Sequence, residues 1–130
     1  MASAKHDVHW MSAALTDPGK VRKFNEDAFV NLTERGIWAV ADGMGGHHAG
    51  DVASRLIADS LASMPVSASI TDAITTCTQA IAQANETLFR NGVARSAKVT
   101  GSTVATLLSC GKNCAVLWAG DSRVYCLRAG

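Results

Sequence analysis

The stretch that decides the fold is IWAVADGMGG, residues 37–46, in which an apolar run ends in an aspartate and a glycine-rich loop. A short continuous apolar run bounded by turn residues is typical of a buried β-strand. Beyond Gly46, apolar residues recur every three or four positions, which predicts a helix over residues 49–64 that Pro65 ends. We therefore expect a strand that carries a carboxylate at its end and leads directly into a helix.

Further strands are predicted on both sides of the helical region. The segment 28–36 precedes the central strand and joins it through Thr33-Glu34-Arg35-Gly36, a plausible hairpin connection. A second helix is predicted from an approximate capping box at Ser69 and Asp72 to a C-terminal cap at Asn91-Gly92. Three more strands are predicted over residues 102–110, 114–120 and 123–128. Hairpin-joined strands that are separated from the helices predict an α+β fold with antiparallel sheets.

The composition excludes several classes of function. Of the 130 residues, 48% are apolar and 18% charged, and 12 Lys+Arg against 11 Asp+Glu leave a net charge of +1. We therefore expect a real core, no nucleic-acid binding and no polybasic membrane anchor. No apolar run reaches about eighteen residues, which predicts no membrane insertion. The N-terminus MASAKHDVHW lacks the apolar stretch of a signal peptide, so we expect a cytoplasmic location with reduced cysteines.

Three acidic clusters carry the candidate chemistry. Glu26 and Asp27 follow Arg22 closely, Asp42 ends the apolar strand, and Asp121 ends another. Carboxylates at strand ends beside glycines can meet on one rim of a sheet, and hard cations such as Mg²⁺ prefer oxygen ligands. Arg22 adds a planar cation suited to a phosphate oxyanion. Together the clusters predict metal-assisted hydrolysis of a phosphoester.

Each cluster also has a simpler interpretation. An Asp-Gly pair such as Asp42-Gly43 is usually a turn. The glycine-rich loop lacks the spaced acidic ligands of an EF-hand and the Lys-Ser/Thr of a P-loop. The functional interpretation therefore depends on the three clusters occurring together.

Four motifs, in this order, resemble those of the PPM-type metal-dependent protein serine/threonine phosphatases (protein phosphatase type 2C), most closely the compact bacterial members. They are GKVRKFNEDA at 19–28, VADGMGGH at 40–47 followed by Ala49-Gly50, Gly101-Ser102-Thr103, and GDSR at 120–123. The resemblance covers roughly residues 9–130. It implies an α-β-β-α sandwich of two antiparallel sheets flanked by helices, with the metals in a cleft at one end.

The resemblance also implies a role for each candidate residue. Arg22 matches the arginine that binds the substrate phosphate, and Glu26 and Asp27 match the acidic pair that contacts the metal centre directly or through water. Asp42 matches the aspartate that bridges two Mg²⁺ or Mn²⁺ ions, and Gly43 the glycine whose carbonyl ligates one of them. Asp121 matches a ligand of a third, accessory ion.

The implied reaction is hydrolysis of phosphoserine and phosphothreonine in proteins by a metal-bridged water, with Asp42 and Arg22 as the catalytic residues. The implied partners are phosphorylated proteins, the substrates of a serine/threonine kinase, and the kinase itself, and we expect a monomer. Two alternatives remain: a non-catalytic member of the family that serves as a regulatory or binding module, and a hydrolase of small phosphate esters. The retained site residues disfavour the first.

The C-terminal end departs from the family pattern. Family members carry two further metal-binding aspartates, in Asp-Gly and Asp-Asn contexts, whereas this chain has no acidic residue after Asp121. We therefore expect residues 1–130 to be the N-terminal portion of a single phosphatase domain, incomplete at its C-terminus and active only in the full polypeptide.

The histidines and cysteines near these motifs are weaker candidates for a functional role. Adjacent histidines rarely ligate one ion, so we expect a loop-edge role for His47 and His48, with proton transfer to the leaving group by His47 as the alternative. Cys110 and Cys114 have zinc-like spacing without a second ligand pair. We expect these two cysteines to face each other across a hairpin, where oxidation could join them.

Overall fold

The computed structural model describes residues 8–46, 48–94 and 99–129. Within these residues the elements follow in the order β1 (Asp27–Leu32), β2 (Ile37–Met44), α1 (Ala49–Ala62), α2 (Ile70–Ala94), β3 (Gly101–Ser102), β4 (Val104–Cys110) and β5 (Asn113–Ala119). All strand pairs are antiparallel, and the spatial order is β1-β2-β4-β5, with β3 pairing the end of β2. The predicted α+β class is confirmed.

The core lies between one face of the sheet and the two helices. Side chains along β2 alternate, and Ile37, Ala39 and Ala41 are buried on the helix side. Leu108 of β4 pairs with Ile37, and Leu61 of α1 is fully buried in the same cluster. Burying a leucine side chain stabilises a fold by about 1.5–3 kcal/mol, so this face fixes the register of the strands.

The opposite face of the sheet is not covered by the helices. It carries Phe29, Val40 and Trp118, whose exposed fractions are 40%, 48% and 68%. Antiparallel partners share a face, and the register joins Phe29 to Val40 and, through Ala105, to Trp118. Trp10 packs on Trp38 there, with ring centroids 5.0 Å apart. In the described part of the chain, this apolar face therefore remains largely open.

The β1–β2 hairpin also holds the end of α1. Its connection is a 3₁₀ turn, Thr33–Arg35, followed by Gly36 at φ 64°, which confirms the predicted hairpin. The Arg35 guanidinium donates to the carbonyl of Ala62 at 2.6 Å and to the carbonyl of Met64. Because the last carbonyls of a helix have no partner within the helix, this arginine acts as a side-chain cap from a distant element.

Three predictions about local structure are wrong. Residues 123–128 form no strand, because the chain leaves the sheet at Gly120 (φ 95°) and meets no described strand with which to pair. Helix α2 runs through Asn91-Gly92 to Ala94, since an internal glycine costs a long helix only about 1 kcal/mol. Cys114 pairs with Ser109 and Cys110 with Asn113, so the two cysteines lie on opposite faces of the hairpin.

The N-terminal cap of α2 forms as the sequence predicts. The Ser69 hydroxyl accepts a hydrogen bond from the Asp72 amide at 3.1 Å, which confirms the predicted helix cap. His47 lies outside the described residues, so the loop-edge and proton-transfer hypotheses for it remain predictions. Across the described ranges, no helix combines the length and the apolar character that a membrane crossing requires.

Candidate active site

The centre of the site is a row of residues that crosses the sheet at one level. Asp27 at the start of β1 pairs directly with Asp42 near the end of β2. On the other side of Asp42 stands Thr103, whose backbone amide donates to the Asp42 carbonyl at 2.9 Å. Because directly opposed residues point to the same face, both carboxylates lie at the end of the open face of the sheet.

The glycines of the loop allow β1, β2 and α1 to meet at this point. The Gly43 amide donates to the Glu26 carbonyl at 3.0 Å. A Cβ on Gly43 would lie 1.8 Å from the Gly50 carbonyl oxygen, and a Cβ on Gly50 would lie 2.6 Å from the Glu26 Oε1. Only glycine fits at either position, and the Glu26 carboxylate therefore rests against the N-terminal turn of α1, where the helix dipole favours a negative charge.

Arg22 reaches the same cleft from the loop before β1. Its Nη1 is 4.0 Å from the Glu26 Oε2, and its side chain is 78% exposed, so its donors remain open to a ligand. The cleft has a volume of about 190 Å³ and is lined by Asp17, Pro18, Arg22, Phe24, Asn25, Glu26, Asp27, Asp42 and Gly43. The structure thus brings five of the six predicted site residues together.

Asp121, the sixth predicted site residue, does not line this cleft among the residues that the structure describes. It follows β5 on an exposed turn. Its neighbour Ser122 is hydrogen-bonded to Thr103, which in turn contacts Asp42. Asp121 is therefore adjacent to the row of site residues and belongs to a separate turn.

The two opposed carboxylates repel each other. The pKa of Asp27 is raised above its ordinary value of 3.8, chiefly by burial, then by the charge and hydrogen bond of Asp42 and by the charge of Glu26, while Arg22 opposes the shift. Like charges directly opposite in a sheet destabilise it unless something compensates for them. A divalent cation would supply that compensation, and its preferred ligands are carboxylate oxygens.

The donor set fits a cation that retains much of its water. Within the described ranges, no three His, Cys, Asp or Glu side chains come together to hold an ion by themselves. Mg²⁺ is commonly bound by one or two carboxylates and several waters, so the pair Asp27 and Asp42 matches this type of ion. A soft thiolate site is not formed at this cleft, because no cysteine is among the described residues that line it.

Two polar residues of the motifs were quoted from the sequence without a role. The Asn25 Oδ1 accepts from the Asp27 amide at 3.0 Å, and its Nδ2 donates to the Thr16 hydroxyl at 2.8 Å. The hydroxyl of Thr103 accepts from the Asp42 amide at 3.0 Å. Each of these residues therefore orients the backbone of one carboxylate. Their place within the motifs was the only signal in the sequence.

The family follows from a comparison with known proteins. The model of the family described as "Protein phosphatase 2C" matches residues 20–130, which contain all six predicted site residues.

The chain belongs to the protein phosphatase 2C family. This confirms the resemblance inferred from the four motifs.

Relatives and solved structures support the same family. The serine/threonine protein phosphatase PstP of Mycobacterium tuberculosis is 35% identical over 119 residues, 91% of this chain and 23% of PstP. PppA of Pseudomonas aeruginosa, described as a regulatory component of the T6SS, has a TM-score of 0.87 and 42% identity over 90% of this chain and 51% of its own. A PstP catalytic domain in complex with 2 manganese ions has a TM-score of 0.77 and 32% identity over 85% of this chain and 48% of its own.

The chain therefore spans about half the length of these two solved relatives, 51% and 48%, and a smaller share, 23%, of curated PstP. The residues that the family model matches, 20–130, include the whole sheet and both helices.

Proposed function

We propose that this chain contributes the phosphate-binding arginine and the central carboxylates of a metal-dependent protein serine/threonine phosphatase. The observation that carries the proposal is the direct pairing of Asp27 with Asp42, in a cleft that Arg22 also lines. Two carboxylates facing each other provide a site for divalent cations, and an adjacent guanidinium provides a site for a phosphate. Residues 1–130 would form the N-terminal portion of the phosphatase domain.

The cations of this site would be Mg²⁺ or Mn²⁺, two at the centre and a third near Asp121. A PstP domain that resembles this chain was solved with 2 manganese ions, and the oxygen donors here suit the same type of ion. When bound, such a pair of ions lowers the pKa of a bridging water and stabilises the charge that develops on the phosphoryl group. Asp42, which pairs with Asp27 and contacts Thr103, would be the carboxylate that both central ions share.

The side chains of this chain would bind and orient the substrate. Arg22 lines the cleft, and its guanidinium can form paired hydrogen bonds to two phosphate oxygens. Its only ion pair among the described residues is the 4.0 Å contact with Glu26, which is long enough for the guanidinium to turn towards a ligand. Glu26, held against α1, would keep Arg22 near the carboxylates and contact the metal centre through water.

Phosphorylated proteins are the proposed substrates, since the relatives carry the names of serine/threonine phosphatases. The proteins that one serine/threonine kinase phosphorylates, and the kinase itself, would be the partners of this enzyme. We further propose that it acts as a monomer in the cytoplasm.

The test is phosphate release by the full-length protein from phosphoserine and phosphothreonine peptides in Mn²⁺. Asp42→Asn should reduce kcat severely while leaving the fold intact, and Arg22→Ala should chiefly raise KM. Asp59→Asn and Arg90→Ala change exposed charges of the helices and serve as matched controls.

The outcome distinguishes the alternatives. A wild-type protein that binds phosphopeptides and Mn²⁺ but releases no phosphate would be a non-catalytic binding module. Release from small phosphate esters without release from phosphopeptides would indicate a small-molecule hydrolase. Unchanged kcat in Asp42→Asn would remove this residue from the centre of the site.

A further inference from the structure

Thr103 interrupts the sheet at the level of the carboxylates. It lies between β3 (Gly101–Ser102) and β4 (Val104–Cys110), directly opposite Asp42 of β2. Its amide donates to the Asp42 carbonyl at 2.9 Å, as in an ordinary hydrogen-bonded pair. The Asp42 amide, however, donates at 3.0 Å to the Thr103 hydroxyl, so a side-chain oxygen takes the position of the backbone acceptor.

The same hydroxyl continues the chain of hydrogen bonds to the turn that follows β5. Thr103 Oγ1 is 2.6 Å from the Ser122 Oγ, an ordinary O–H···O distance. Because a threonine hydroxyl can donate once and accept twice, it can accept from Asp42 and still donate to Ser122. The hydroxyls of Thr103 and Ser122 therefore connect the backbone of Asp42 to the turn that carries Asp121.

The close approach of that turn depends on Gly120. The register of β4 and β5 places Gly120 next in line opposite Thr103, after the pair Val104 and Ala119. Gly120 has φ 95°, and a Cβ on it would lie 2.8 Å from the Thr103 Cγ2. A glycine is thus needed both for the backbone conformation and for the contact, and it brings Ser122 within reach of Thr103.

The neighbouring Ser102 does not duplicate this link. Its hydroxyl is 2.7 Å from the Thr103 carbonyl and 3.2 Å from the Asp42 carbonyl, and a single hydroxyl proton favours the shorter bond. Ser102 therefore satisfies the Thr103 carbonyl, which is left free because the Asp42 amide bonds to the side chain. Thr103 is therefore the residue that contacts both Asp42 and the turn that carries Asp121.

We propose that Thr103 and Ser122 are positioning residues, whose paired hydroxyls hold the backbone of Asp42 and the Asp121 turn at a fixed separation. The proposal rests on the proposed function only in that the two aspartates hold cations. Thr103 is β-branched, so its restricted χ1 rotation makes the link stiff. Groups that orient metal ligands typically change metal affinity by about 10–100-fold when they are removed.

The first test needs neither metal nor substrate. In metal-free full-length protein, Thr103→Val should speed amide hydrogen exchange at Asp42 by about five- to tenfold, because one hydrogen bond is lost. Thr103→Ser keeps the hydroxyl and should restore slow exchange. Thr106→Val makes the same chemical change in β4 at a hydroxyl with no partner, and should not speed exchange at Asp42.

The second test measures Mn²⁺ binding by calorimetry. Thr103→Val and Ser122→Ala should each weaken binding by about tenfold or more, and the double variant should be no weaker than Thr103→Val alone, because both changes break one link. Thr103→Ser should bind as the wild type does.

Wild-type exchange at Asp42 in Thr103→Val, or strictly additive losses of Mn²⁺ affinity in the double variant, would overturn the proposal. If Thr103→Val does not fold, then Ser122→Ala with wild-type affinity overturns it equally. If the variants show these exchange effects but the wild type binds no Mn²⁺, both the proposed function and the positioning role are contradicted. The hydroxyl pair is then only a structural link.

Discussion

Asp27 of β1 and Asp42 of β2 are direct antiparallel partners, so two carboxylates face each other across adjacent strands. Arg22 offsets their repulsion only in part, because its side chain is largely exposed and its contact with Glu26 is 4.0 Å long. The site residues are therefore arranged at the expense of stability in the metal-free protein, and a bound cation would reverse that effect.

Asp27→Asn should stabilise the metal-free protein at neutral pH and reduce its stabilisation by Mn²⁺. Removing the repulsion is worth up to about 1 kcal/mol. Because the pKa of Asp27 is raised in the folded state, protonated Asp27 favours folding, and this contribution is lost as the pH rises from 3.8 through the raised pKa. Urea unfolding between pH 3 and 7, with EDTA or Mn²⁺, measures both effects.

Asp59→Asn, an exposed change in α1, is the control for the Asp27 experiment. It should leave the gain in stability with Mn²⁺ as in the wild type. An Asp27→Asn protein that Mn²⁺ stabilises as strongly as the wild type would contradict a role for Asp27 at the metal centre.

Gly43→Ala should destabilise the fold by about 3 kcal/mol or more, because the added Cβ would collide with the Gly50 backbone. Gly101→Ala is the matched control, since the nearest atom to its Cβ would be 4.0 Å away. That substitution should stay within about 0.5 kcal/mol of the wild type in urea unfolding. Similar losses in the two variants would show that the contact between β2 and α1 is looser than described.

Arg35→Ala should lower the free energy of unfolding by about 1.5–3 kcal/mol, because hydrogen bonds from a charged donor to the end of α1 are lost. Arg90→Ala removes an arginine whose ion pair with Glu86 is exposed, and should cost less than about 1 kcal/mol. Equal effects in chemical denaturation would mean that Arg35 contributes only its charge.

Thr106→Val should stabilise the protein by about 1 kcal/mol. The Thr106 hydroxyl is fully buried on the helix side of β4 and has no hydrogen-bond partner, and valine has nearly the same shape. Thr106→Ser keeps the hydroxyl and removes the methyl group, so it should destabilise by about 1 kcal/mol. Thermal unfolding of the two variants is the measurement. A loss of stability in Thr106→Val would show that the hydroxyl has a hydrogen-bond partner.

Cys77 should resist thiol reagents in the folded protein. It is fully buried in the core, and burial raises its pKa to about 11, so the thiolate is scarce at pH 8. Cys114 and Cys126 are exposed and should react with a disulfide reagent at once. In the variant that changes Cys110, Cys114 and Cys126 to Ser, only Cys77 remains and should react only on unfolding. Rapid labelling of Cys77 in that native variant would contradict its burial.

Local patterns predicted most of the elements, because each has a strong periodicity or a clear end signal. The apolar run at residues 37–43 forms β2, and the three- and four-residue spacing after Gly46 forms α1. The strand predicted at 123–128 is absent because its formation depends on a partner strand, which a local pattern does not specify. Long-range pairing was thus the part that sequence reasoning could not decide.

The same limit applies to the site. The motifs predicted Arg22, Asp27 and Asp42 as site residues, but the direct pairing of the two aspartates follows from a register that the Thr33–Arg35 turn sets. The hydroxyl of Thr103 contacts Asp42 across 61 positions of sequence, a relationship with no local signature. Side chains that orient a ligand act through the folded backbone, so they become visible only in the structure.

The open face of the sheet links the packing of a further layer to cation binding. Phe29, Val40 and Trp118 lie on the same face as Asp27 and Asp42. Any layer that packs on these apolar side chains also removes water from beside the carboxylates, and a lower local dielectric strengthens their attraction for a cation. Packing of that layer and cation binding are therefore reciprocally linked. If the layer raises the affinity for a cation by some factor, a bound cation raises the affinity for the layer by the same factor.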